Sequence, residues 1–358
     1  MAYGYVERVT RLQGTGLQGK RLKATKLQEV EQAVERTSEQ TAHEPPFEIA
    51  PWLREIGRGG KGARSLDVAR ARTLFEAIFA GRVDDLALGA VMIALRVKGE
   101  SVDEIEGALA ALDPHIDRIA VDLSRPVVAI PSYNGARKMA NLTPLLACLL
   151  ADAGVQVIVH GVTDDAVRTT THRIMLAMGI APVEHVGDAA DLLSRNDPAF
   201  VPIDVLSPAL ARMLALRRRL GVRNIGHTLA KLLNPSPSER CLRLTSFTHP
   251  EFDELQHALF MRLRQPALVM RGTEGEVVAN AKRRARIDWL HDGRCDVMLE
   301  AETLPMGEVP SLPPAHDAVA TASWIQSVLS GERPVPPSIA SQVDCVLAAL
   351  KPAVVPAA

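Results

Sequence analysis

Apolar positions divide the chain into two regimes. Between residues 47 and 112 they recur at helical spacing. Leu66, Ala69, Leu74, Ile78 and Phe79 share one face, Ser65 or Asp67 stands ready to cap the start, and Gly81 ends the element. A second helix runs through Leu86, Ala90, Ile93 and Ala94 to Val97 and stops at Gly99. Ser101 with Glu104 three residues on is a capping-box pattern, opening a third helix to about Leu112. Then the period changes. Val127-Val128-Ala129-Ile130 and the run 155–160 are short and continuously apolar, as strands buried on both faces must be. A helix at 142–152, closed by Gly154, separates them, and a further helix is predicted over about 165–178. Residues 205–233 read as two helices broken near Gly221, 241–247 and 267–270 as later strands, and 318–329 and 339–350 as closing helices.

Strands alternating with helices predict a mainly parallel sheet. The expected class is therefore α/β, with a small all-helical domain beside a larger α/β domain. The helical domain takes residues 45–115 and is completed by about 207–233. The α/β domain takes 116–206 and 234–351. Residues 1–44 are a polar extension with a short Gln/Glu-rich helical stretch, ended by Pro45-Pro46, and 352–358 form a tail.

Composition adds three constraints. Aromatics are only 4% of the 358 residues, so the core must rest on aliphatic side chains. The formal net charge is −1, yet the charge is segregated. No acid lies between Val205 and Ser238, where Arg212, Arg217, Arg218, Arg219, Arg223 and Lys231 fall, and none between Glu276 and Asp288, where Lys282, Arg283, Arg284 and Arg286 fall. Cys148, Cys241, Cys295 and Cys345 are far apart, without CxxC spacing or a disulfide framework. With no apolar signal core and no run of membrane-spanning length, the cytoplasm is the expected location. The histidines show no ligand spacing, and no Ser/His/Asp or Cys/His set stands out.

Two segments carry a resemblance. Leu95-Arg96-Val97-Lys98-Gly99-Glu100-Ser101 is physically a glycine stop followed by an N-cap. It resembles the helix-to-helix signature of the helical domain in anthranilate phosphoribosyltransferases and the related pyrimidine nucleoside phosphorylases. More specific is Leu206-Ser207-Pro208-Ala209, followed by Leu216-Arg217-Arg218-Arg219-Leu220-Gly221-Val222-Arg223-Asn224 and Leu232-Leu233-Asn234-Pro235. It is similar to the anthranilate-site segment of that glycosyltransferase family 3 scaffold, where a His-Pro pair precedes an Arg, a Leu-Gly-x-Arg turn and a closing Asn-Pro. The resemblance covers roughly residues 45–351.

Against that family's pattern the catalytic equipment is altered. The resemblance implies a glycine-rich diphosphate loop after the first strand. Here the loop is Pro131-Ser132-Tyr133-Asn134-Gly135-Ala136-Arg137-Lys138, with a single glycine, and Tyr133 puts a ring where bare backbone should approach phosphate. Ser132, Tyr133, Asn134, Gly135, Asn141 and Thr143 are its residual positions, Thr143 and Pro144 replacing a Ser-Thr. The family's Lys-His-Gly-Asn-Arg becomes Val159-His160-Gly161-Val162-Thr163, its anthranilate-side His becomes Ser207, and its magnesium-holding Asp-Glu pair aligns with Val277 and Val278. Glu274 or Glu276, one or two residues away, would be the replacement ligands of a relocated site.

In place of the lost groups stand cations: Arg58, Lys61 and Arg64 in a Gly-rich turn; Arg137 and Lys138 at the start of the helix that should receive the diphosphate; Arg212, Arg217, Arg218 and Arg219; and Lys282, Arg283, Arg284 and Arg286. On the family fold these would converge on one cleft. Arg223 reads as structural, bonding helix-end carbonyls. The Tyr-Asn-Gly-Ala-Arg-Lys loop resembles that of a prokaryotic offshoot that binds nucleic acid without transferase activity. The resemblance implies no catalytic residue, no cofactor, and a homodimer paired through the helical domain that binds single-stranded DNA or RNA by its phosphates. Two alternatives remain open: a transferase using phosphoribosyl pyrophosphate and magnesium, or a scaffold dimer for a protein partner.

Overall fold

The computed structural model describes residues 46–59, 61–303 and 311–351, so the extension at 1–44 and the tail at 352–358 lie outside the described residues. The helical unit is α1 (Ala50–Ile56), α2 (Val68–Phe79), α3 (Asp85–Lys98) and α4 (Val102–Leu112). Of the two candidate caps for α2 it is Asp67 that accepts from the Arg70 amide, at 2.8 Å. Ser65 instead accepts from Lys98 Nζ at 3.1 Å. The Ser101–Glu104 capping box forms as its spacing predicts. Helices α2 and α4 touch at Gly107, where a Cβ would lie 2.4 Å from the Val68 carbonyl oxygen.

The α/β unit opens with β1 (Val127–Ser132), α5 (Thr143–Asp152) and β2 (Gln156–Gly161), followed by α6 (Thr171–Ala177), α7 (Val186–Ser194) and β3 (Ala199–Pro202). Four short helices return the chain to the helical unit: α8 (Ile203–Leu206), α9 (Pro208–Ala215), α10 (Arg217–Leu220) and α11 (Gly226–Leu232). Then come β4 (Leu242–Phe247), α12 (Pro250–Leu263), β5 (Ala267–Arg271), β6 (Arg283–Arg284), β7 (Ile287–His291), β8 (Arg294–Leu299), β9 (Glu302–Thr303), α13 (Ala318–Leu329) and α14 (Pro337–Ala349). The main sheet has the order β3-β2-β1-β4-β5-β7-β8, parallel through β5 and antiparallel beyond it. β6 and β9 pair separately.

Alternate strand residues feed two cores. Val127, Ala129, Ile158, Val201 and Val269 pack with α2, α4 and α8–α12 in one apolar cluster. Val128, Ile130, Val159, Phe200 and Leu244 pack with α5, α6, α13 and α14 in the other. The helical unit thus shares a continuous core with one sheet face. No helix among the described residues is long and apolar enough to cross a membrane.

Three expectations need correction. The helix predicted over 165–178 begins only at Thr171, because Thr169 exchanges both backbone hydrogen bonds with Ala136 (2.8 and 3.0 Å) and ties this stretch, out of helical conformation, to the loop after β1. Residues 203–232 form four helices rather than two. Ser207 caps α9 through the Leu210 amide, and the last of the three breaks falls at Gly221 (φ 73°) as anticipated. Beyond residue 270 the apolar pattern predicts no strand, yet the hairpin β7–β8 forms and turns at Asp292-Gly293, both at positive φ.

Glu104 is fully buried and accepts from Lys98 Nζ (2.7 Å), the Ser101 amide (2.9 Å) and the Leu66 amide (3.1 Å), tying α2, α3 and α4 together. Glu104→Ala would strand a nearly buried ammonium and two amides, and is expected to cost about 3–5 kcal/mol. Urea unfolding of the variant beside the wild type checks this; a loss below about 1 kcal/mol would contradict it.

Candidate functional site

Strand order reverses between β1 and β4, and at such a switch point open α/β sheets hold their ligands in the crevice outside the carboxyl ends of the strands. The loop after β1, residues 133–142, lines it. Its backbone is built as an anion cradle, and the chain fills that cradle with its own carboxylates. Glu276, 1% exposed, accepts from the amides of Asn134 (2.9 Å) and Gly135 (2.6 Å) through Oε1. Its other oxygen accepts from the Thr143 hydroxyl at 3.5 Å. Glu274 accepts from the amides of Lys138 (2.8 Å), Met139 (3.0 Å) and Arg137 (3.2 Å). Five amide donors of one loop thus point at two side chains from another strand's loop.

The turn that delivers them is tight. Thr273 and Glu276 exchange both backbone hydrogen bonds at 3.0 Å, and Glu274 and Gly275 between them have φ of 54° and 90°. At Gly275 a Cβ would fall 1.6 Å from Asn134 Nδ2, so only glycine lets the turn press this deep. Lys231 Nζ (2.9 Å) and Ser246 Oγ (3.2 Å) donate to the Gly275 carbonyl. Asn134 Nδ2 donates to the Glu274 carbonyl at 3.2 Å. Val277 and Val278, which align with the magnesium carboxylates, are buried in the apolar core. The two glutamates that were candidates to replace them face amide hydrogens.

The residual loop positions are structural in the same way. Ser132 Oγ and Thr171 Oγ1 bond at 2.7 Å, Asn141 Nδ2 donates to Thr171 Oγ1 at 2.9 Å, and Asn141 Oδ1 accepts from the Thr143 amide at 3.1 Å. Tyr133 turns its ring into the core instead of the crevice, with its hydroxyl 2.8 Å from His160 Nδ1. Burial pushes His160 down to about 3, so the ring is neutral and its unprotonated Nδ1 can accept a hydrogen bond from the Tyr133 hydroxyl.

Cations surround the filled cradle. Arg168 donates to the Gly135 carbonyl at 3.1 Å and stands 3.7 Å from the Glu274 carboxylate. Arg217 pairs with Asp165 at 3.3 Å. Arg223 is lowered first by burial and then by its neighbours Arg217 and Arg168. Its backbone carbonyl accepts from Arg96, but among the described residues its guanidinium has no hydrogen-bond or ion-pair partner. The expectation that Arg223 bonds helix-end carbonyls is therefore not met. Lys231 is pulled down to about 8 by burial, with Glu276 holding it up and Arg223 and Arg168 lowering it. His227 is pushed to about 3 by burial and then Arg223.

The other predicted cations do not gather here. Arg137 and Lys138 precede the first turn of α5 by several residues rather than opening it, and their side chains are exposed at the crevice rim without acidic partners among the described residues. Arg218 is likewise exposed, while Arg219 pairs with Asp85 at the start of α3 (2.7 Å). Arg212 lies beside His115 at the far end of α9. Arg58, Lys61 and Arg64 are exposed in the turn after α1. Lys282 is exposed. Arg283, Arg284 and Arg286 line a separate cavity of about 650 Å³ with Asp253, Glu254 and His257, and Arg284 and Arg286 are paired with Glu302 and Asp288. The sequence reading missed Arg168 and Lys231 as members of the site, and Glu274 and Glu276 as its internal anions. The only local signal was a Glu-Gly pair at a turn.

Comparison with known proteins follows the same lines. Residues 50–115 match the family described as the glycosyl transferase family, helical bundle domain. The chain is 43% identical over 298 residues to the Escherichia coli (strain K12) protein known as uncharacterized protein YbiB, covering 83% of this chain and 92% of that one. It is 28% identical over 228 residues to anthranilate phosphoribosyltransferase of Persephonella marina, covering 63% and 66%. Among solved structures, anthranilate phosphoribosyltransferase from Thermus thermophilus superposes with a TM-score of 0.62 at 22% identity, covering 80% of this chain and 85% of that one. The Saccharomyces cerevisiae enzyme in complex with PRPP and Mg gives 0.64 at 14% identity, covering 84% and 92%. These likenesses show the fold.

His160 and His227 are each held far below an unfolded histidine, so between about pH 6.5 and 3 the unfolded chain binds protons that the folded chain refuses. Their contribution is fully present above about pH 6.5 and is lost as pH falls. Denaturant unfolding at about pH 7.5 and about pH 5 is expected to show lower stability at the acid end, with a smaller drop in His227→Gln. An unchanged drop in that variant would rule out the assignment to His227.

Proposed function

The chain belongs to the family of the Escherichia coli protein YbiB, on the scaffold of the anthranilate phosphoribosyltransferases, and from that premise we propose that it binds nucleic acid through phosphate contacts and transfers no phosphoribosyl group. The observation that carries this reading is the filled cradle. A diphosphate needs the loop's free amide donors, and those of residues 134, 135 and 137–139 are already engaged by Glu274 and Glu276. Expelling two hydrogen-bonded carboxylates to admit a diphosphate would forfeit several charge-assisted bonds. The cations that remain outside the cradle are a different resource. Arg223 makes no side-chain hydrogen bond or salt bridge among the described residues, though Asp165 and Glu276 act on it as countercharges, and Arg137, Lys138 and Arg218 are exposed. Such a rim suits a phosphate backbone that passes over the crevice without entering it. With 4% aromatics and Tyr133 buried, base stacking contributes little, and binding is sequence-independent.

The proposal includes a homodimer formed by the helical unit. Leu86, Ile93 and Val97 lie on one face of α3 at 86%, 37% and 71% exposure. With Leu53, Ala90 and Ala94 the last two line an apolar hollow of about 410 Å³ between α1 and α3. A second copy of the same face would cover it, as symmetric dimers do, and two crevices on one strand would add avidity.

Fluorescence anisotropy of a labelled single-stranded oligonucleotide tests the binding. Binding at low salt is expected to fall steeply toward physiological salt, and Arg137→Glu with Lys138→Glu is expected to weaken it by about tenfold or more and flatten the salt slope by about one to two units. No binding at low salt would refute the reading. So would saturable magnesium-dependent binding of phosphoribosyl pyrophosphate by calorimetry, which would favour the transferase.

For the dimer, Ile93→Glu with Val97→Asp is expected to halve the mass measured by light scattering while leaving the circular dichroism unchanged. A monomeric wild type would refute the pairing.

A further inference from the structure

Away from the crevice, three side chains that no part of the proposed function uses converge behind the β7–β8 hairpin. His257 Nε2, an Asp288 carboxylate oxygen and Cys295 Sγ all lie within 4.8 Å of one another. They come from α12, β7 and β8, so no local spacing announces them. Asp288 and Cys295 share a sheet face, diagonal across the pairs Asp288–Val297 and Leu290–Cys295. The register shifts between Ile287 and Asp288, a bulge of the sort that re-aims a side chain.

The histidine is held as a ligand is held. Its Nδ1 lies 3.0 Å from the Asp253 carbonyl oxygen, an acceptor only, so Nδ1 carries the proton and donates it there. That leaves the Nε2 lone pair facing the Asp288 carboxylate at 3.3 Å, with no hydrogen bond between them. Two lone-pair bearers at that distance need a positive charge between them, either a proton or a metal ion. Asp288 is itself fixed from behind, with Arg286 Nε donating to both of its oxygens at 2.9 and 3.1 Å. A backbone carbonyl behind the histidine and a guanidinium behind the carboxylate are the outer partners that orient metal ligands. Asp253, one turn before His257, also sets its carboxylate Oδ1 3.0 Å from the same Nδ1, so backbone and side chain of Asp253 both hold the imidazole from that side.

We propose that His257, Asp288 and Cys295 form a three-ligand site for a zinc ion. One nitrogen, one carboxylate oxygen and one thiolate are a mixed donor set that suits Zn²⁺ better than Mg²⁺ or Ca²⁺, and the two anions neutralise its charge. Zinc bonds of about 2.0–2.3 Å at tetrahedral angles set ligand atoms roughly 3.3–3.7 Å apart. The nitrogen–oxygen pair already has that spacing, and a rotation of the exposed Cys295 side chain closes the rest. The fourth position opens toward the cavity of about 650 Å³ that His257 and Asp288 line, where water completes the coordination.

The test uses the whole chain, stripped with a chelator and titrated with Zn²⁺ alone. One equivalent per chain is expected, and Cys295→Ser and His257→Ala should each weaken binding by about tenfold or more. Replacing zinc by Co²⁺ should give tetrahedral ligand-field absorption with a thiolate-to-cobalt band that Cys295→Ser abolishes. Cys295 is exposed, so the serine variant tests ligation rather than folding. Failure of the wild type to bind Zn²⁺ saturably overturns the proposal and leaves a protonated His257 paired with Asp288. Zinc bound with unchanged affinity by both variants overturns it equally. Neither result bears on oligonucleotide binding, which rests on the crevice.

Discussion

Everything at the crevice depends on one requirement: backbone N–H groups taken out of water must have acceptors. The loop after β1 turns the amides of Asn134, Gly135, Arg137, Lys138 and Met139 toward common points at the end of the sheet. Orphaned, each would cost on the order of 1–3 kcal/mol. A bound diphosphate is one solution to that requirement. This chain uses another, a two-residue turn carrying a carboxylate on each side of Gly275. The rest of the site is shaped around that turn. Gly275 must lack a side chain, Lys231 and Ser246 hold its carbonyl, and residues 165–170 stay non-helical so that Thr169 can clamp Ala136 and Arg168 can reach Gly135.

The same substitution of internal for external partners explains Tyr133. A phenol displaced from the crevice into the core brings a hydroxyl that burial alone would penalise. His160, buried at the end of β2 and kept neutral by that burial, supplies the acceptor and packs edge-on against the ring at 5.5 Å. The bulky residue in the loop and the retained histidine are therefore one unit. Removing the histidine's nitrogen would leave the phenol unsatisfied. Removing the phenol would leave a second orphan beside His160 Nε2, which already has no partner among the described residues.

Features governed by nearby sequence were legible. The capping box at Ser101 and Glu104, the buried strands β1 and β2, the glycine stop at Gly221, and α13 all follow from short-range rules, and the structure places them where the spacing predicts. What escaped was whatever depends on distant partners. Residues 165–170 have helical periodicity, but two hydrogen bonds to Ala136 outweigh it. Glu274 and Glu276 lie next to the aligned metal positions, which made them read as ligands. Only the fold, bringing them to a loop more than a hundred residues earlier, shows that they face amides. The β7–β8 hairpin had its Asp292-Gly293 turn signal, yet β8 is largely exposed and lacks the apolar run that marks a strand.

Pairing then separates the cations into those already answered and those still available. Arg168 and Lys231 are tied to the turn, Arg217 to Asp165, Arg219 to Asp85, and Arg284 and Arg286 to Glu302 and Asp288. Arg223, repelled by Arg217 and Arg168 and attracted by Asp165 and Glu276, makes no side-chain hydrogen bond or salt bridge among the described residues, and Arg137, Lys138 and Arg218 are exposed. On the proposed reading, a phosphate at Arg223 would relieve the repulsion from Arg217 and Arg168 and add to the countercharge that Asp165 and Glu276 supply. The rim residues differ from Arg223. They are exposed, and on the same reading they would supply long-range attraction that salt screens. On the proposed reading, a partly buried Arg223 and the exposed cations would hold a phosphate chain by its charge, above a cradle closed to diphosphate, and leave its bases unread.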